Sequence, residues 1–319
     1  MPAPPPAAAA APAAVLRVVG GDVAFPLVPP DGTFTAQSAG VSLHVRVYEP
    51  AVARGRTLLL LHGAFEHGGR YGHAAAYFAA RGWRVLVPDL RGHGESGGEP
   101  MHARRFDEYA ADVRAILAES ACDPARTAAI GNSMGGLVLA RLAQGAGETG
   151  HAAPPLAAAA LCSPLLRIVT PVPLLTRAAG RAVTLVRPTT RFAVPPDPDS
   201  PAKSDAAADP LRHDSVTAAW FFAVRRGVRD AWRAAARTAV PLAALQSEAD
   251  RVVCPRAPGE WCRAVRAAGG VAAHRVLPAA AHEVFREPNW ADHAAALHNW
   301  LGARVPAAGA TDRPLRRAA

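Results

Sequence analysis

Residues 127–142 read TAAIGNSMGGLVLARL. Small and apolar residues lead into Gly131-Asn132-Ser133-Met134-Gly135, and apolar positions at helical spacing (Leu137, Leu139, Leu142) follow at once. The pattern is strand, sharp turn and helix, with a serine at the apex. In such a turn the serine backbone is strained and the flanking segments approach closely. Gly131 and Gly135 therefore stand where a Cβ would collide with the adjoining strand or helix. The same geometry lifts the Ser133 hydroxyl clear of the sheet and sets the first N–H groups of the helix beneath it, where they stabilise negative charge. GxSxG alone is a common pattern, and an ordinary Gly-Ser turn competes with it. The strand before and the helix after make Ser133 a candidate nucleophile, provided its partners are found.

On either side of this stretch the chain alternates strands with helices. Upstream, residues 41–47 alternate apolar and polar, as in an antiparallel edge strand. TLLLL at 57–61 is a continuous apolar run, expected of a strand covered on both faces, and it enters the glycine-rich loop HGAFEHGGRY at 62–71. A helical segment reaches Ala80, WRVLVPDL at 83–90 reads as a strand ending in RGHGES, and residues 106–119 carry helical spacing. Downstream come a strand at 157–162, a strand at 241–246, a helix at 259–268, a strand at 273–277 and a helix at 290–301. Alternation of this kind implies an α/β fold, a mostly parallel central sheet with helices on both faces. In such sheets the working site lies at the carboxyl ends of the strands.

The alternation breaks at 163–240, where prolines cluster among short amphipathic pieces such as 174–186. A segment of this length inside a compact domain is expected to be an insertion over the site, a cap. The resulting division is a disordered Ala/Pro-rich lead at 1–30, a core at 31–162 and 241–302, the cap at 163–240, and a disordered basic tail at 303–319.

With 319 residues and 50% hydrophobic content the chain can bury a substantial core. The net charge is +9, nearly all of it arginine, since Lys203 is the single lysine. The arginines are scattered, without runs longer than two and with little aromatic interleaving, which argues against a nucleic-acid footprint but leaves room for peripheral contact with anionic membranes. Cys122, Cys162, Cys254 and Cys262 form no CxxC and no metal-type cluster with histidine, so structural thiols in a reducing compartment are expected. With no apolar run of membrane-spanning length and no basic secretory start, a cytoplasmic location is expected.

A serine nucleophile needs a general base within hydrogen-bond reach and a carboxylate to orient that base. Asp250 closes LAALQSEAD at a strand end, with Glu248 as the alternative acid. His282 closes VLPAAAH after the last strand, whereas His274 begins its strand at the wrong edge, and His293 and His298 read as surface positions of the last helix. The oxyanion needs two N–H donors: Met134, after the nucleophile, and one from the loop after TLLLLHG, with Ala64 the candidate and Phe65 the runner-up. His62 and Glu66 read as loop-fixing residues, Asp89, Arg91 and His93 as scaffold, and Glu287 as a support of the histidine loop, while His67 reads as a solvated loop histidine, with contact to a substrate headgroup as the alternative.

HGAFEHGGRY, DLRGHGES, GNSMGG, DPLRHDSVTAAWF, SEADRVV and AAHEVFRE, in this order, resemble the monoacylglycerol lipase and lysophospholipase branch of the α/β-hydrolases, which overlaps the group labelled serine aminopeptidases. The resemblance spans about 31–301. It implies Ser133 as nucleophile, Asp250 as acid, His282 as base, Ala64 and Met134 as oxyanion donors, a cap, and no metal or cofactor. Two positions depart from the pattern: Asn132 stands where the branch usually has His, and Phe65 where it usually has Gly.

The function expected is hydrolysis of small-molecule acyl esters through an acyl-serine, with monoacylglycerol or lysophospholipid as substrate. An amidase or aminopeptidase using the same residues is one competing reading, and an inactive hydrolase fold acting as a binding protein is another. A peptidase cap would present carboxylates to a peptide amine, but Asp197, Asp199, Asp205 and Asp209 lie in a stretch that reads as solvated loop. Leu165, Leu166, Val172, Leu174, Leu175, Val183, Leu185 and Val186 would either pack on the core or line an acyl channel beside Arg177 and Arg181. Phe65 would narrow the acyl entrance.

Overall fold

The computed structural model describes residues 15–16, 25–26, 28–146, 153–169, 174–194, 209–278 and 280–308. In chain order the strands are β1 (Val15–Leu16), β2 (Phe25–Pro26), β3 (Gly32–Ser38), β4 (Val41–Tyr48), β5 (Thr57–Leu61), β6 (Arg84–Pro88), β7 (Thr127–Asn132), β8 (Ala158–Cys162), β9 (Arg191–Ala193), β10 (Ser215–Thr217), β11 (Leu242–Ser247) and β12 (Ala272–Leu277). The α-helices are α1 (Gly72–Ala79), α2 (Asp107–Glu119), α3 (Met134–Ala143), α4 (Leu174–Val186), α5 (Ala218–Arg233), α6 (Ala257–Ala267) and α7 (Trp290–Gly302).

Eight strands form one sheet in the order β3-β4-β6-β5-β7-β8-β11-β12. From β6 to β12 every neighbouring pair is parallel, while β4 runs antiparallel to both β3 and β6. All five residues of β5 are buried, as are all of β7 and β8. Because side chains alternate across a strand, Leu59 and Leu61 enter one core cluster with Tyr109, Val113, Leu137 and Trp261. Leu58 and Leu60 enter the other, with Phe78, Trp83, Leu297 and Leu301. Helices α2, α3, α5 and α6 thus cover one face, and α1 and α7 the other.

The antiparallel strand at 41–47 is present, but it is not the edge. β3 lies outside it, in full register from Gly32↔Val47 to Ser38↔Val41. The inward set of β3 is Phe34, Ala36 and Ser38, with only one large apolar side chain, so its sequence carries little strand signal.

β8 and β11 are neighbours in the sheet, although the chain between them holds α4, the antiparallel pair β9 and β10, and α5. Within the span expected to hold only short pieces, α5 is a 16-residue helix. Thr217 caps it by accepting from Trp220 N, and Trp220, Ala223, Val224, Gly227 and Ala231 form its buried stripe. Trp220 Nε1 donates to Tyr109 Oη at 3.0 Å, which ties α5 to α2. The opposite face is rich in arginine. Most of the lead at 1–30 and most of the tail fall outside the described residues, but within the lead β1 and β2 pair as antiparallel strands, so it is not disordered throughout as expected. Up to Ala308 the chain stays packed, with Val305 buried and Ala308 N donating to Arg54 O.

Candidate active site

The turn between β7 and α3 has the backbone its sequence demands. Ser133 adopts φ 49°, ψ −110°, a conformation costing on the order of 1–3 kcal/mol that persists only where surrounding structure enforces it. Here Ser133 N donates to Cys162 O at 2.9 Å, and Ser133 O accepts from Leu137 N and Leu165 N. A Cβ on Gly131 would sit 2.4 Å from Gly135 O, and one on Gly135 would sit 2.6 Å from His62 O. Neither can be other than glycine without backbone movement. Met134 opens α3, so its N–H is one of the unpaired first-turn donors at the positive end of the helix.

The loop after β5 lies against this turn: a Cβ on Gly63 would be 3.3 Å from Ser133 Cβ and 2.8 Å from Glu66 Oε1. Gly63 N donates to Glu66 Oε1 at 2.7 Å, and Tyr71 Oη donates to the same oxygen at 2.8 Å. Leu90 N donates to His62 Nε2, so the proton sits on Nδ1 and is donated to Gly63 O. His62 thereby joins the loops after β5 and β6, and burial lowers its pKa and keeps it neutral. Asp89 accepts from Arg46, Gly68 N and Glu95 N, and Arg91 pairs with Asp112 and Glu108, in keeping with scaffold roles. Ala64 is half-buried. Phe65 takes φ 66°, the left-handed region that favours glycine, at a cost of about 1–2 kcal/mol. Its ring lies 6.0 Å from that of Trp220, and its carbonyl accepts from His213 N at 3.2 Å.

Asp250 and His282 meet beyond β11 and β12. Asp250 Oδ2 and His282 Nδ1 are 2.8 Å apart, while Asp250 Oδ1 accepts from Val252 N and Val253 N. Burial pushes the Asp250 carboxyl up, but the bond and charge of His282 and the two amides outweigh it and hold it below its ordinary value. Burial likewise disfavours the imidazolium of His282, yet Asp250, then Glu283 and Glu66, raise its pKa above the ordinary value. Glu248 is exposed, so Asp250 and not Glu248 is the carboxylate on the histidine. Glu287 Oε1 accepts from Ala281 N and so fixes the residue before His282.

Several side chains that the sequence reading set aside belong to this region. His67 is not solvated: it is buried, and its Nε2 lies 2.9 Å from Asp209 Oδ2, a partner 142 residues away. Asp209 is correspondingly not a loose loop carboxylate, whereas Asp197, Asp199 and Asp205 lie outside the described residues. Arg70 stands between Glu66, Asp209 and Glu283 at 3.5, 3.7 and 4.0 Å. Gln246 Nε2 donates to Asp250 Oδ2 at 3.1 Å. His293 is buried and His298 accepts from Trp83 Nε1, so neither simply coats the last helix. Among the described residues no group of histidines, cysteines and acids could hold a metal. All four cysteines are free, and burial pushes the thiols of Cys162 and Cys262 up to about 12 and about 11.

A family profile described as serine aminopeptidase, S33 matches residues 53–289, which takes in every residue of the serine turn, the oxyanion loop and the acid–histidine pair. The chain belongs to the S33 serine aminopeptidase family. Among similar sequences, a monoacylglycerol lipase of Mycolicibacterium smegmatis is 35% identical over 259 residues, covering 78% of this chain and 89% of that protein. Phospholipase YtpA of Bacillus subtilis is 24% identical over 241 residues, covering 74% and 90%. The fold matches the crystal structure of Paleococcus ferrophilus monoacylglycerol lipase with a TM-score of 0.71 at 23% identity, over 82% of this chain and 99% of that one. The sheet is that of an α/β-hydrolase.

Proposed function

We propose that this protein hydrolyses carboxylic esters of monoacyl lipids, monoacylglycerol or lysophospholipid, through an acyl-enzyme on Ser133. The observation that carries the reading is the strained serine turn of β7–α3 at the same sheet edge as the Asp250–His282 pair. The likeness to a monoacylglycerol lipase and a phospholipase supports the lipid ester class.

In this mechanism Ser133 Oγ attacks the ester carbonyl and His282 Nε2 takes its proton, while Asp250 holds Nδ1–H and stabilises the imidazolium. The tetrahedral oxyanion is met by the N–H groups of Met134 and Ala64, each contributing on the order of 3 kcal/mol in the transition state. His282 then protonates the leaving alcohol, and water activated by the same histidine releases the fatty acid. Phe65 lies beside this loop and would disfavour acyl groups branched near the carbonyl.

Residues 163–240 act as a cap in this reading. Leu166 packs in the core and Leu165 against it. Leu185 and Val186, at 83% and 79% exposed, do not pack on the core. With Phe192, Val194, Arg181, Arg187 and Arg191, all exposed, they make an apolar and basic surface suited to an anionic lipid interface. A peptidase reading has the family description behind it, but Asp209 is committed to His67 and Arg70 and so is not presented to a peptide amine.

Labelling by a fluorophosphonate probe tests the nucleophile. Wild type is expected to react and Ser133→Ala to lose both labelling and essentially all turnover while remaining folded; turnover in the mutant would remove the assignment. A chain-length series of p-nitrophenyl esters, then monoacylglycerol against triacylglycerol and an aminopeptidase substrate, tests the substrate class. Strongest activity on acetyl esters or on the peptide would defeat the lipid reading.

A further inference from the structure

The described part of the segment returning from α4 and β9 to the sheet begins at Asp209, and within five residues it grips the loop after β5 repeatedly. Asp209 Oδ2 lies 2.9 Å from His67 Nε2 and 3.7 Å from an Arg70 terminal nitrogen. His213 N donates to Phe65 O at 3.2 Å, and the His213 ring bonds the Gly92 carbonyl in the neighbouring loop. Arg70 Nε is 3.5 Å from Glu66 Oε2, and Glu66 Oε1 accepts from Gly63 N. A polar path therefore runs from Asp209 through Arg70 and Glu66 to the amide next to Ala64.

What this path holds is a backbone that would not hold itself. Phe65 sits at φ 66°, and an unrestrained phenylalanine relaxes towards negative φ, turning the peptides on both sides. We infer that residues 209–213 are a positioning element for the oxyanion loop: Asp209 through His67 and Arg70, and His213 through the Phe65 carbonyl, keep residues 63–65 in the shape that aims Ala64 N–H at the oxyanion. The inference rests on the ester-hydrolase reading above. Neither Asp209 nor His213 touches substrate in it.

The pairing is sheltered enough to do this. Side-chain exposure is 9% for His67, 7% for Arg70 and 22% for Asp209, so water screens these charges far less than it would a surface pair. Burial pushes the Asp209 carboxyl up, but the His67 bond and charge outweigh it and keep the carboxyl below its ordinary value. The consequence is a coupling between cap and chemistry. Any displacement of the return segment reaches the oxyanion donor without passing through Ser133, His282 or Asp250.

Steady-state kinetics of the full chain on a short soluble p-nitrophenyl ester test this. Asp209→Ala is expected to lower kcat by about tenfold or more with KM changed by less than about twofold, as for a donor misplaced in the transition state. Asp209→Asn keeps an acceptor for His67 and should recover most of the loss. In a Phe65→Gly background the left-handed φ needs no restraint, so the Asp209→Ala penalty should shrink to about threefold or less. If Asp209→Ala melts below the assay temperature, His67→Gln reads the same contact from the other side and should show the same fall in kcat. Full kcat in these variants, a change confined to KM, or an Asp209→Ala penalty that is the same with and without the Phe65→Gly substitution would each overturn the inference. Turnover by Ser133→Ala would instead bring down the ester-hydrolase reading, so the two failures are separable.

Discussion

In the proposed mechanism the Asp250–His282 contact sets the pH at which the site works. His282 is a base only when neutral, and Asp250, Glu283 and Glu66 together raise its pKa above the ordinary ~6.5 despite burial. The rate should therefore be full at alkaline pH and fall as pH drops through a value above ~6.5, measured as kcat/KM against pH. In Asp250→Asn the fall should move to lower pH, and kcat should drop by about 10⁴-fold, because the wrong tautomer is held. Glu248→Gln should leave both unchanged, since Glu248 is exposed. The serine turn, the Asp250–His282 contact and both loops were legible because each follows the end of a strand. Gln246, Asp209 and Glu283 were not. Their roles come from contacts across the sheet edge, in the case of Asp209 across 142 residues, and nothing in the local sequence marks such a partner.

At the level of elements, the buried strands and most helices declared themselves through periodicity, and α4 matches the expected 174–186 residue for residue. Two of the misses have evident physical causes. β3 buries only Phe34, Ala36 and Ser38, too little apolar surface to read as a strand, and it is held by register with β4 more than by its own side chains. The buried stripe of α5 has Trp220 as its one large side chain among small residues and Val224, amid arginines, and it follows a proline-rich span that suggested irregular chain. Its Gly227 is the point where α5 meets the start of α2: a Cβ there would lie 2.4 Å from Phe106 Cγ. Phe106 is buried and cannot swing aside. Gly227→Ala is thus expected to destabilise by about 1–3 kcal/mol, despite the better helix propensity of alanine, and chemical denaturation would read the loss. A mutant as stable as wild type would mean that α5 sits further from α2 than described.

Across the whole molecule the proposed lipid-interface role joins the net charge of +9 to the exposed Leu185, Val186, Phe192 and Val194. Co-sedimentation with phosphatidylglycerol vesicles should exceed that with phosphatidylcholine vesicles. Binding should weaken as ionic strength rises from about 0.05 to about 0.5 M, because screening shortens the reach of the arginines. Leu185→Asp with Val186→Asp should cut partitioning by about tenfold while sparing turnover of soluble esters. The neighbouring positions of β8 and β11 carry one more consequence. Because the sheet closes its hydrogen bonds between Leu242 and Ala159 whatever the chain does in between, the intervening stretch behaves as an exchangeable cassette in recombination. Two crossover designs should part company. A chimaera that imports residues 174–194 from a relative should inherit that relative's chain-length preference at undiminished speed. One that imports 174–214 from a relative lacking counterparts of Asp209 and His213 should fold around the same sheet yet turn over slowly, since the inheritance would have left the staple behind.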